Sequence, residues 1–147
     1  GYIMPENTTT LEAADFSDGT RLTLSQTYST FIKMFLAPQN YYTGYLERIY
    51  NVKECEAEYI DILFMDTDYC VQTSEFDFSA SDVVSSAEWY GNEDDNFMLL
   101  RLYLREKGNF SGYEYTKAAD GKISITLKKR PTSLSGAVIM LDFFCVL

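Results

Sequence analysis

Histidine is absent from the chain. Its absence removes the usual general base, the Ser-His and Cys-His nucleophile pairs and the commonest zinc ligand, and so disfavours most hydrolase chemistry. Cysteine is scarce: Cys55, Cys70 and Cys145 are an odd set without C-x-x-C spacing. Neither a disulfide framework nor a metal cluster is expected from them. Free or buried thiols are the plain reading. A Cys55–Cys70 bridge is the alternative if their strands lie side by side, with a contribution of about 3 kcal/mol. Positive charge is also short, 12 basic residues against 22 acidic, for a net charge of −10. Such a surface repels phosphate backbones and anionic lipid, so neither nucleic acid nor a membrane surface is an expected partner. The longest apolar run, Ala137 to Leu147, is broken by Asp142. It falls well below the ~20 residues of a membrane helix and reads as a strand.

What the chain does hold is aromatic and β-branched. Of 147 residues, 46% are hydrophobic and 16% aromatic, including twelve tyrosines. That is enough for one globular domain with a full core. The chain opens on Gly1 without an apolar signal-type segment, as expected of a piece cut from a longer precursor.

Residues 1–20, with Asn7-Thr8-Thr9-Thr10, are polar and without sustained periodicity, and read as a flexible lead-in. From Arg21 onward strand signals dominate. Arg21-Leu22-Thr23-Leu24, Phe31 to Leu36, Tyr59 to Phe64, Leu100 to Leu104 and Ile123 to Leu127 alternate or are rich in strand formers. Asp120-Gly121 predicts a hairpin turn between Tyr113-Glu114-Tyr115 and Ile123 to Leu127. Leu46, Ile49 and Tyr50 sit at helical spacing, so 46–57 is either a short helix or more strand.

The halves resemble each other. Lys33-Met34-Phe35-Leu36 with Tyr42-Thr43-Gly44-Tyr45 matches Arg101-Leu102-Tyr103-Leu104 with Phe110-Ser111-Gly112-Tyr113, and both pairs keep one offset, 33 to 101 and 44 to 112. Ile60 to Phe64 then answers Ile123 to Leu127. The pattern predicts an all-β fold, a β-sandwich of two similar strand units at about 21–78 and 79–131, the two packed on each other. Residues 132–147 follow as a linker and terminal strand.

Candidate ligand-binding residues are Trp89, Tyr90, Tyr113, Phe110, Tyr42 and Tyr45. On an exposed platform their rings would stack on the apolar faces of sugars while acidic and amide groups bond the hydroxyls. The competing role is packing in the core, with Gly44 and Gly112 allowing a bulge or close approach where a strand returns. Glu93-Asp94-Asp95-Asn96 and Asp66-Thr67-Asp68 offer oxygen ligands but no EF-hand spacing, and read as acidic turns. No catalytic residue, metal or cofactor is assigned. Lys128-Lys129-Arg130-Pro131 reads as the end of a strand at a linker boundary.

The segment Ile125-Thr126-Leu127-Lys128-Lys129-Arg130-Pro131, then Leu134-Ser135-Gly136, then Val138-Ile139-Met140-Leu141-Asp142 resembles a known junction. It is similar to the one that precedes the catalytic domain of zinc-dependent N-acetylmuramoyl-L-alanine amidases. The likeness stops after Asp142, where Phe143, Phe144 and Cys145 replace the Pro, Gly and zinc-ligand His of that family. It therefore implies the upstream, AMIN-like β-domain of such bacterial proteins, with no zinc site in this chain. The expected role is a secreted, non-catalytic accessory domain at the cell envelope that binds peptidoglycan or another wall glycan. Two other readings remain open. One is a structural sandwich that mediates protein contacts or self-association at the cell surface, the other a glycosidase acting through two carboxyl groups.

Overall fold

The computed structural model describes residues 7–17, 19–30, 32–37, 56–72, 75–92 and 97–130. Among the described residues nine strands carry the fold: β1 Thr8–Asp15, β2 Thr20–Gln26, β3 Ile32–Ala37, β4 Tyr59–Met65, β5 Tyr69–Gln72, β6 Val84–Asn92, β7 Phe97–Leu104, β8 Gly112–Lys117 and β9 Ile123–Lys128. A turn of 3-10 helix, Phe78–Ala80, lies between β5 and β6. A five-stranded sheet runs β5-β1-β2-β9-β8 and a four-stranded sheet runs β3-β4-β7-β6. The expected all-β sandwich is what forms.

Its core follows from alternation. Leu22 and Leu24 of β2 and Ile123, Ile125 and Leu127 of β9 point inward from one sheet. Ile60, Ile62 and Phe64 of β4 and Leu100, Leu102 and Leu104 of β7 point inward from the other. A period of two places each set on one face, and two such faces pack to exclude water. The central strands β4 and β7 go further. Their opposite faces are buried too, with Leu63, Phe97 and Leu99 forming a second small cluster against Met65, as in strands that read as nearly continuous apolar runs.

Two expectations change. The polar start, taken as a lead-in over 1–20, holds β1, which pairs with β2 and, in parallel, with β5. Threonine is β-branched and suits a strand despite its polarity. A register shift between Leu11 and Ala13 breaks the alternation that would have disclosed it. Asn7 anchors this strand. Its backbone N–H donates to Asp68 Oδ2 (2.8 Å) and its Nδ2 to the Asp66 carbonyl (2.9 Å), while its Oδ1 accepts from the Tyr28 N–H (2.8 Å). Asp66-Thr67-Asp68 thus serves as the acidic turn that holds the chain start.

The second change concerns the repeat. Each sheet draws strands from both halves of the chain, so the two layers are not the two repeat units. β4 and β9, which occupy matching places in the repeat, lie in different sheets. The physical reason is the pairing of β2 with β9, which ties the first unit to the last strand of the second. Gly44, Tyr42, Tyr45, most of 46–57, Cys55, Glu93 to Asn96 and everything from Pro131 onward lie outside the described residues. The hairpin of β8 and β9 forms as expected: Ala118 N–H donates to Lys122 O (2.8 Å), and Gly121 takes φ 89° in the turn.

Candidate functional site

The outward face of the four-stranded sheet carries the most developed polar cluster among the described residues. Register sets it. Asp61 of β4 lies opposite Arg101 of β7, and Arg101 lies opposite Glu88 of β6, so one row across three strands reads acid, base, acid. Tyr59 and Tyr103 form the adjacent row, and Tyr90 flanks Glu88 two residues along its strand.

At the buried end, Arg101 Nε donates to Asp61 Oδ1 (2.8 Å) and Nη2 to Oδ2 (3.1 Å). The pair is bidentate and both side chains are buried. A fork of this kind holds two charges that burial alone would expel. Burial pulls the guanidinium pKa down, but the hydrogen bond and charge of Asp61 outweigh it and leave the pKa raised. The Arg101 guanidinium also sits over the Tyr59 ring, 4.0 Å from its centroid, and 5.2 Å from that of Tyr90.

At the open end, Glu88 Oε2 accepts hydrogen bonds from the hydroxyls of Tyr90 and of Tyr103, the latter at 3.0 Å. These bonds, Tyr90's first, hold the Glu88 carboxyl below the usual carboxylate range. The same carboxylate raises the Tyr90 pKa, since it stabilises the protonated phenol. The Tyr90 ring is 41% exposed. An aromatic face, an anchored carboxylate and a fixed cation therefore meet at the surface, the groups that stack on a sugar ring and bond its hydroxyls. Both tyrosine hydroxyls go to Oε2, which leaves Oε1 as an acceptor for a ligand.

The sequence candidates do not form one platform. Trp89 follows Glu88 on the strand, so it points the other way, into the core, where its ring centroid lies 6.1 Å from that of Phe64. Phe110 is buried in the same core and offers no face to a ligand. Tyr113 is exposed on β8, in the other sheet from Tyr90. Tyr42 and Tyr45 lie outside the described residues, and of the four described candidates Tyr90 belongs to the polar cluster. Its partners Asp61, Glu88, Arg101 and Tyr103 were not singled out, although a signal was present: Asp61 and Arg101 are lone charges of opposite sign in the middle of apolar strands.

Two lesser features complete the description. An open groove of about 480 Å³ on the five-stranded sheet is lined by Arg21, Asp82, Glu114 and Lys128 among others. Its charges largely answer one another, as in the Lys128–Glu114 pair at 2.8 Å. Cys70 is a free thiol, half-buried on β5, and burial pushes its pKa up to about 12. A thiol so protonated is a poor nucleophile at neutral pH.

The class these observations define is a two-sheet β-sandwich with an ionic and aromatic patch on its outward face. Compared with known proteins, no family model, no curated protein and no solved structure matches the chain.

Proposed function

We propose that the chain is a non-catalytic binding domain that attaches a secreted, amidase-like protein to cell-wall glycan, peptidoglycan first, through the patch of Tyr90, Glu88 and Tyr103. The observation that carries the reading is the half-open Tyr90 ring beside a carboxylate fixed by two phenols and backed by Arg101. Geometry of this kind needs little reorganisation to receive a ligand, which favours binding. The likeness of Ile125 to Asp142 to an amidase junction supplies the choice of polymer. A carboxylate hydrolase is less well supported, because it needs a carboxyl group that keeps its proton near neutral pH. Glu88, the carboxyl group of this patch, is shifted the other way by the hydrogen bonds from Tyr90 and Tyr103, which suits it to accept hydrogen bonds rather than to donate a proton.

The test is co-sedimentation with insoluble peptidoglycan, beside cellulose and chitin. Saturable, peptidoglycan-selective pelleting is expected. Tyr90→Ala should weaken it about tenfold or more, the loss of one stacked ring and its hydroxyl, while Phe110, being buried, is not a useful target. No pelleting at high protein concentration would overturn the proposal. A solution mass above 16.9 kDa in that case would favour the protein-contact reading instead.

A further inference from the structure

Arg101 shows how the outward face of the four-stranded sheet holds a cation. Its guanidinium lies against two rings, 4.0 Å from the centroid of Tyr59 and 5.2 Å from that of Tyr90, and meets the Asp61 carboxylate at 2.8 Å. Rings attract a cation through their quadrupole and a carboxylate attracts it through its charge. The same two parts recur one strand further out. Glu88 of β6 stands opposite Arg101, and Tyr90 and Tyr103 both donate their hydroxyls to its Oε2, Tyr103 at 3.0 Å. Two phenols on one oxygen fix the carboxylate and leave Oε1 as its open acceptor. Glu88 and Tyr90 both reach solvent.

Charge decides what fits there. Asp61, Arg101 and Glu88 form a row of two acids and one base, so the row is negative on balance. Asp61 takes the Arg101 fork with both its oxygens, and both side chains are buried. The charge presented to a ligand is therefore that of Glu88, on a molecule of net charge −10. An anion is repelled. A neutral hydroxyl gains one hydrogen bond, whereas a cation gains a charge-assisted bond at Oε1 and the Tyr90 ring besides. Shape narrows the cation. A guanidinium is held best by two oxygens, as Asp61 holds Arg101, and Glu88 has one to give. An ammonium is a point charge that needs only one.

We propose that the Glu88 and Tyr90 patch recognises a primary ammonium group, and that in the wall polymer this group is the free side-chain amine of a diamino acid in the peptide stems. The inference rests on the wall-binding reading and names the group that the patch contacts. It also gives the site its own ground for choosing among polymers. Cellulose carries no amine and the amines of chitin are acetylated, so neither presents an ammonium.

Co-sedimentation of the full chain with two forms of one peptidoglycan preparation tests it. One form is untreated, the other N-acetylated with acetic anhydride, which turns each ammonium into a neutral amide and keeps the glycan strands. Acetylation should weaken pelleting about tenfold, the loss of one charge-assisted bond. Glu88→Gln should weaken pelleting on the untreated form to the same extent and be indifferent to acetylation, because the two changes remove the two ends of one bond. Glu106→Gln, the same change of net charge at an exposed residue after β7, should bind as the unmodified chain does. Equal pelleting of the unmodified chain on both forms, still weakened by Tyr90→Ala, would overturn the ammonium and leave the wall reading standing. Equal losses in Glu88→Gln and Glu106→Gln would overturn it too, since net charge rather than the patch would then be sensed. No pelleting on the untreated form would remove the wall reading and this inference with it.

Discussion

Asp61 and Arg101 show how a single pair of residues is placed by its strands and then constrains them. Each is the lone charge in an otherwise apolar strand, and the register of β4 and β7 brings them face to face. Removing one partner leaves the other buried without its counter-ion. Asp61→Ala should therefore destabilise the fold by about 3–5 kcal/mol, read by urea unfolding. The double change Asp61→Leu with Arg101→Leu should recover most of that loss, because two apolar side chains need no partner. A single-variant loss below about 1 kcal/mol would place the pair among weak surface ion pairs instead. The same residues mark a limit of sequence reading. Opposite charges in two strands are visible in the sequence, but which strands are neighbours is not, and the pair exists only through that adjacency. Trp89 and Tyr90 teach the converse. Adjacent residues on a strand face opposite ways, so Trp89 and Tyr90 of β6 do not share a platform.

At the scale of elements, turn chemistry and alternation carried the β8–β9 hairpin, because Asp120-Gly121 states the turn and Ile123-Ser124-Ile125-Thr126-Leu127 states the inward face. Gly121 occupies φ 89° with open space around the position a Cβ would take, so conformation alone demands glycine there. Gly121→Ala should destabilise by about 1–2 kcal/mol, the penalty of a left-handed backbone in a residue with Cβ, as read by the shift of the urea midpoint. An unchanged midpoint would show that the turn relaxes at no cost. β1 was illegible for the opposite reason: it has no glycine signal, its inward Thr9 is polar, and its register shift puts both Leu11 and Ala14 against the core. Arg105 is another element-level device. Its guanidinium donates to the carbonyls of Ser81 (2.9 Å), Phe78 (2.9 Å) and Val84 (3.2 Å), and so holds the 3-10 turn against the end of β7. In the sequence it is one basic residue among several in a loop.

The whole molecule carries a net charge of −10 on one small domain. Two surface ion pairs among the described residues, Lys122 with Glu12 and Lys128 with Glu114, reach solvent and offset little of the resulting repulsion. Added salt shortens the screening length from about 30 Å at 0.01 M to about 8 Å at 0.15 M. The melting temperature should therefore rise over that range of sodium chloride, measured by circular dichroism. A fall would mean that attractive pairs, not net repulsion, dominate the surface. The sandwich class was legible from strand-forming composition and alternation, whereas the division of strands between sheets was not, because local pattern says nothing of long-range partners.

The pairing of β2 with β9 has a consequence in time. Thr20 meets Leu127 and Leu24 meets Ile123, so a strand near the start of the described chain gains its second neighbour only from the last one. During synthesis β2 has no completed sheet until β9 emerges, and the edges that await it are open to other chains. Closure of this sheet therefore waits on a contact of long sequence separation, and the interval before it forms is when the open edges are most exposed to aggregation.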